Sequence, residues 1–294
     1  MDDSSLKPNQ TVKLYKTNSG APVPGAANTS GGGDVIVFQP TGLLDANTQY
    51  TFEIIGVKDL AGREFLPYKS TFTTGTAGTP SESGVAFTKL PQDSTNGKAY
   101  TTLVVGPDGK LYAATILGEI VRFTIGADGT LSNPQSITSL TTYEGGPRAI
   151  VGMVFDPAST PANPILWVSH GVAVLSGAPD WSSKISKLSG ANLQNVQPYV
   201  VGLPRAVRDH LTESLVFGPG GALYVPVGSN SSMGAPDNGW GQRPERLLSA
   251  SILRIDPTRT TGLPINVQTA EGGSYNPYAA GAPVTIYATG IRNA

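Results

Sequence analysis

The sequence predicts an all-β protein in two parts, a small β-sandwich followed by the first blades of a partial β-propeller. Three observations carry this. Gly (36) and Pro (24) together make up about a fifth of the 294 residues, against a usual share of roughly 12%, so the chain is rich in tight turns. Apolar and polar residues alternate between Gly, Pro and Asn punctuation, and no 3.6-residue periodicity persists beyond two turns. Finally, one hairpin pattern recurs in the second part of the chain.

Length and charge bound the function. A chain of 294 residues is long enough for two domains with separate cores. Only 14% of residues are charged, against roughly 25% in ordinary globular proteins, and Ser, Thr and Asn fill that share of the surface, as in exported β-proteins. The net charge of −1, a pI near 6.1 and the scattered Lys and Arg give no electrostatic footprint for nucleic acid. The absence of Cys removes disulfides, thiolate metal sites and cysteine nucleophiles without fixing a compartment. No stretch approaches the ~18 apolar residues of a membrane span, and Met1-Asp2-Asp3-Ser4-Ser5 lacks the features of a signal peptide. The expectation is a fragment of an extracellular, cell-surface or periplasmic protein.

In the first part, strands are predicted at Val12–Tyr15, Val35–Phe38, Tyr50–Ile55 and Ser70–Thr73. Asn18-Ser19-Gly20, Ser30-Gly31-Gly32-Gly33 and Leu60-Ala61-Gly62 supply turn chemistry between them. Asn47-Thr48-Gln49-Tyr50-Thr51, Val57-Lys58-Asp59-Leu60-Ala61-Gly62 and Phe72-Thr73-Thr74-Gly75 resemble the bacterial Ig-like modules of large surface proteins. The resemblance implies a sandwich over residues 1–76, short of the ~7 strands of a full one and so truncated at its start. An irregular extension of the propeller is the alternative. Residues 77–84, small, polar and breaker-rich, read as a linker.

From residue 85 onward, Leu103-Val104-Val105-Gly106-Pro107-Asp108-Gly109-Lys110-Leu111-Tyr112-Ala113 returns as Leu215-Val216-Phe217-Gly218-Pro219-Gly220-Gly221-Ala222-Leu223-Tyr224-Val225. A looser copy pairs Met153-Val154-Phe155-Asp156-Pro157 with Ile165-Leu166-Trp167-Val168. Each copy is a strand, a hairpin and a strand, followed by a third at Ile120–Phe123, Lys184–Lys187 or Ile252–Ile255. A ~50-residue unit of this kind is a propeller blade, with a β-sandwich as the alternative. Three blades and the start of a fourth fit in residues 85–294, and propellers close with about four to eight. Neighbouring domains or chains are therefore expected to cover the open edge.

Candidate chemistry gathers late in the chain. Asp209-His210 precedes a blade's first strand, Gly228-Ser229-Asn230 follows its second, and Asn276-Pro277-Tyr278 and Gly290-Ile291-Arg292-Asn293 come after the third. With Gly146–Phe155, this order resembles the glucose/sorbosone dehydrogenase family, soluble quinoproteins that use pyrroloquinoline quinone (PQQ). The resemblance covers most of residues 97–294. It implies a propeller, six-bladed when complete, and PQQ with calcium as cofactors. It also implies oxidation of a small-molecule sugar, with His210 as general base, Asp209 assisting it, and Arg292 and Asn293 contacting the cofactor. The chain departs from the pattern at Gly228-Ser229, where many members have Gly-Asp, and at Ala235-Pro236-Asp237-Asn238, where a Gln often contacts the cofactor. No metal ligands are expected within this chain, since the family's calcium ligands lie further along.

The plainer readings stay open. A His before a strand is often a structural hydrogen-bonder, and an Arg-Asn pair at a strand end often stabilises a turn. His170 reads as structural, and Arg148 as a surface-loop residue. Sparse, unpaired carboxylates support no glycosidase pair, and neither a nucleophile elbow nor a P-loop is present. The rival to a sugar dehydrogenase is a non-catalytic surface propeller that binds carbohydrate or protein, with Ig-like modules as spacers.

Overall fold

The computed structural model describes residues 1–29, 35–76, 89–260 and 262–293. The chain forms two compact units, Met1–Thr88 and Lys89–Ala294. Both are β-structures, and the described residues contain a single short α-helix. The expected linker at 77–84 and the turn at Ser30–Gly33 lie outside the described residues.

The first unit contains β1 (Val12–Lys16), β2 (Gly25–Thr29), β3 (Ile36–Pro40), β4 (Gln49–Ile54) and β5 (Tyr68–Thr73). β4 lies between β1 and β5 in an antiparallel sheet, and β2 pairs with β3. Residues from both sheets share one core: Val12, Phe52 and Ile54 meet Ala27, Ile36 and Phe38, with Leu6 and Val57 buried beside them. That is a sandwich in miniature, each sheet burying one face against the other. β2 is the strand the sequence did not announce, because Gly-Ala-Ala-Asn-Thr offers no bulky alternation.

The second unit is a succession of three antiparallel sheets. The first holds β6 (Tyr100–Val105), β7 (Leu111–Thr115), β8 (Ile120–Ile125) and β9 (Leu131–Ile137). After the helix α1 (Ser139–Glu144) comes the second, with β10 (Arg148–Phe155), β11 (Ile165–Val172), β12 (Ser183–Ser189) and β13 (Asn195–Leu203). The third is built from β14 (Val216–Phe217), β15 (Leu223–Val227) and β16 (Ser251–Ile255). The chain then leaves it to lay β17 (Ile265–Asn266) parallel to β13, and returns to complete it with β18 (Val284–Thr289). The expected start of a fourth blade is thus corrected: the strand over Ile286–Thr289 belongs to the third sheet, whose last connection is lengthened by the excursion to β17.

Consecutive sheets stack face to face. Tyr112, Ala114 and Ile120 of the first pack on Ile150, Met153, Leu166 and Val168 of the second. On the other face of the second sheet, Trp167, Ile185 and Val200 pack on Leu223, Val225, Leu253 and Val284 of the third. Trp167 anchors this layer, edge-on to Tyr199 at 4.5 Å and to Phe217 at 6.0 Å. The described sheets do not close into a ring.

Close packing explains the recurring hairpin. A Cβ on Gly106 would lie 2.5 Å from the Tyr112 ring, and one on Gly218 would lie 2.5 Å from the Tyr224 ring. The aromatic six residues on covers the glycine, so only hydrogen fits there. In the looser copy both members change: Asp156 replaces the glycine and accepts a hydrogen bond from Trp167 Nε1 at 2.9 Å, with Trp167 in the tyrosine's place.

Candidate functional site

The ends of the three sheets that carry the start of the first strand and the end of the second also carry most of the second unit's buried polar residues. In the third sheet, the turn 206–210 leads into β14 and is closed by Ala206 N donating to His210 O at 3.1 Å. The loop after β15 lies against it, where Gly228 N donates to Leu211 O at 3.0 Å. A Cβ on Gly228 would sit 2.7 Å from His210 Cβ, so the residue after β15 must be small for the imidazole to seat.

His210 is buried at 3% exposure. Its Nδ1 lies 2.9 Å from Ser229 O and 3.3 Å from Ser229 Oγ. A carbonyl only accepts, so Nδ1 carries the hydrogen and the lone pair of the neutral ring resides on Nε2. No described residue hydrogen-bonds to Nε2. The indole of Trp240 lies against the ring at 4.4 Å between centroids. Burial, the largest influence, lowers the imidazole pKa below its usual 6.5, and Arg292 lowers it further. The Ser229 carbonyl and the charges of Asp209 and Glu245 oppose them. The net result is a neutral ring at pH 7 with one free basic nitrogen.

Arg292 is tied to the same loop. Ser229 N donates to Arg292 O at 2.9 Å, and Arg292 Nε donates to Ser232 O at 2.8 Å. Ser229 therefore bridges His210 and Arg292 through its own backbone, although 82 positions separate them in the chain. The Arg292 side chain is exposed, as is Asn293 after it. Asp209 is exposed as well. Ser229, not Asp209, orients the imidazole, and Asp209 assists it only as an electrostatic influence that raises its pKa.

Three supports carry no sequence signal. Arg205, 1% exposed, donates Nη1 to the carbonyls of Ala206, Arg208 and His210 and Nη2 to Val174 O at 2.9 Å. Burial without a carboxylate partner lowers its pKa to about 10. It is the clamp that shapes the turn bearing His210. Glu245 accepts from Asn230 N at 2.9 Å, Ser231 N at 3.0 Å, Ser231 Oγ at 2.6 Å and Ser249 Oγ at 2.5 Å, which fastens the loop after Ser229 and leaves the carboxylate no part as a base. The carboxyl of Glu213, desolvated at the entrance to β14, is raised to about 7.

The equivalent end of the second sheet differs. His170, fully buried, accepts from Arg148 Nε through Nδ1 at 3.0 Å and so donates from Nε2 to Ser186 Oγ at 2.9 Å. Both nitrogens are used, consistent with a structural residue. Burial, then Arg148 and Lys184, holds its pKa well below 6.5. The expectation of a surface-loop Arg148 is corrected: it begins β10, is buried, and also donates Nη2 to Ser182 O at 2.8 Å. Glu144 balances the charge, 3.8 Å from Arg148 Nε and 2.7 Å from Lys184 Nζ.

Residues 1–74 match the family model of the bacterial Ig-like domain. The molecule is therefore an all-β chain opening with a bacterial Ig-like domain. Among solved structures, the chain is similar to the holo form of the PQQ domain of pyranose dehydrogenase from Coprinopsis cinerea, at 14% identity and a TM-score of 0.39. That similarity covers 61% of this chain and 38% of the other, so this chain spans well under half the length of that relative. No curated protein matches. No helix among the described residues is long and apolar enough to cross a membrane.

The donor sets distinguish the two implied cofactors. Calcium takes six to eight oxygen ligands, and no group of three or more His, Cys, Asp or Glu able to hold a metal occurs among the described residues. These residues do not fit calcium. A quinone bearing carboxylates needs a cation and polar donors, and the exposed guanidinium of Arg292, held on the loop that fixes His210, fits that need.

Proposed function

We propose that the second unit is the base-bearing part of a PQQ-dependent sugar dehydrogenase of the aldose or sorbosone type, joined to an Ig-like module in an exported or surface protein. The observation that carries this reading is the fixed tautomer of His210. The Ser229 carbonyl holds the hydrogen on Nδ1, burial keeps the ring neutral, and Nε2 is left as a lone-pair base, while the same Ser229 holds the Arg292 backbone. The family resemblance of Asp209-His210 and Arg292-Asn293 assigns these residues the same part.

In this mechanism His210 Nε2 takes the proton of the sugar's anomeric hydroxyl, while the hydride on the same carbon leaves and the sugar becomes its lactone. A quinone, when bound, supplies the two-electron acceptor. Arg292 holds and orients anionic or carbonyl oxygens at the site. Trp240 covers one side of the imidazole and limits its contact with water. A base whose pKa lies somewhat below 6.5 remains competent through the neutral range.

The second reading, a non-catalytic propeller that binds carbohydrate or protein, draws on Ser229. Where a carboxylate stands in many relatives, this hydroxyl turns inward and donates to Ser231 O at 2.5 Å. The deciding experiment uses protein reconstituted with PQQ and calcium. His210→Gln, whose amide can still donate to Ser229 O, is expected to reduce sugar-dependent dye reduction by about 10²-fold or more, with the melting temperature nearly unchanged. Wild-type turnover in that variant would remove His210 as the base, and no quinone binding by the parent protein would favour the binding reading instead.

A further inference from the structure

The excursion between β16 and β18 does more than add β17 to the second sheet. The loop that follows lines an open cavity at the surface, of about 550 Å³, within the ~300–1,000 Å³ of small-molecule sites. No residue lining it is charged. Its polar side chains are only half used. Asn266 and Asn276 spend Oδ1 on backbone amides, accepting from Gln268 N at 3.1 Å and Tyr278 N at 3.0 Å. Their amide NH2 groups have no partner among the described residues. Gln268 is the reverse: its Nε2 donates to the carbonyls of Ala270 at 2.9 Å and Glu271 at 3.0 Å, which leaves Oε1 to accept. The Ser274 hydroxyl, also on the lining, has no described partner.

Tyr275 gives the cavity a fixed aromatic wall. Its hydroxyl donates to Val284 O at 2.7 Å and accepts from Val284 N at 2.9 Å, and its ring packs on the core between the second and third sheets. An ion would meet no counter-charge here, and an apolar ligand would strand the free amide groups. Closely spaced hydroxyls, each donor and acceptor, carried on a ring with an apolar C–H face, satisfy donors, acceptor and wall together. We propose that this cavity binds a neutral, hydroxyl-rich ligand of the saccharide class, at a site distinct from His210. Among the described residues no hydrogen bond joins its lining residues to His210 or Ser229, so the site stands whether or not the chain oxidises sugars.

The test is a titration of the isotopically labelled whole chain, followed by backbone amide shifts, with cellobiose as the neutral probe and glucuronate as the charged one. Cellobiose is expected to shift the amides of residues 266–283 and to saturate with a Kd of ~1 mM. Glucuronate should bind about tenfold more weakly. Asn276→Asp keeps the acceptor for Tyr278 N but loses the NH2 donor, and should weaken cellobiose about fivefold, the worth of one hydrogen bond. Asn266→Asp provides the same test on the other side should the first variant disturb the Tyr278 turn. His210→Gln should leave the cellobiose shifts of residues 266–283 unchanged. The proposal is overturned if cellobiose leaves residues 266–283 unshifted at ~100 mM, if glucuronate binds more tightly, if neither Asp variant weakens binding, or if the shifts fall on the His210 loop and disappear in His210→Gln.

Discussion

The only two histidines of this chain occupy corresponding ends of neighbouring sheets, both buried and both with lowered pKa values, yet they have opposite chemical standing. His170 has each nitrogen committed, Nδ1 to Arg148 and Nε2 to Ser186. His210 has one committed to Ser229 and one left over. Burial therefore does not separate an imidazole with both nitrogens committed from one with a lone pair to spare. The count of remaining lone pairs does, and the tautomer that the fixed partner enforces decides where the spare one resides.

The comparison can be broken most severely at Arg205. Arg205→Met should remove the guanidinium from four backbone carbonyls, of which His210 O keeps Ala206 N as a donor, and lower stability by about 3 kcal/mol. Denaturant melts measure this, and a loss under about 1 kcal/mol would mean the turn bearing His210 holds its shape unaided. Next in size, His170→Ala should lower stability by about 2 kcal/mol by leaving Arg148 Nε and Ser186 Oγ unpaired. Turnover in any reconstituted dye assay should survive. Lost turnover with an unchanged melting temperature would assign the chemistry to the wrong histidine.

The smallest effect depends on pH and comes from Glu213. Its carboxyl is raised to about 7 from a usual 4.5, so the folded state holds a proton that the unfolded state has released. Stability from this group is full below about pH 4.5 and is lost as pH rises through about 7. Glu213→Gln should thus gain about 1 kcal/mol at pH 8, allowing for solvent screening, and nothing at pH 4. Equal effects at both pH values would show that the carboxyl is not titrating in this range.

Sequence legibility followed the direction in which each group is read. The hairpin repeat was visible because its cause is a side-chain pair at fixed spacing, Gly106 under Tyr112 and Gly218 under Tyr224. The outer strands were not. β9 reads Leu-Ser-Asn-Pro-Gln-Ser-Ile, with a proline and a mostly exposed face, because an outermost strand needs neither an apolar alternation nor all its amide donors. In the candidate site, His210 and Arg292 were legible as residue types. Ser229 acts through its backbone, which any residue would provide, and Arg205 is satisfied by carbonyls, which leave no trace in composition. Arg148 was misread as exposed because the groups that satisfy it, the Glu144 carboxylate and the His170 acceptor, come from other elements.

β17 gives the third sheet a hold on the second that face packing alone does not. In a simple tandem array each repeat touches its neighbour across one interface and opens in series with it. Here the thread linking β16 to β18 is pinned midway to β13, by the pairings Val200 with Ile265 and Val201 with Asn266. Peeling β18 away by its far end therefore pulls against a knot tied on the adjoining sheet. The two sheets are fastened as a lock-stitch fastens two layers of cloth, while among the described residues no strand of the first sheet pairs with one of the second, and the two are joined by packing, a short helix and side-chain bonds such as Thr101 Oγ1 to Ile150 O.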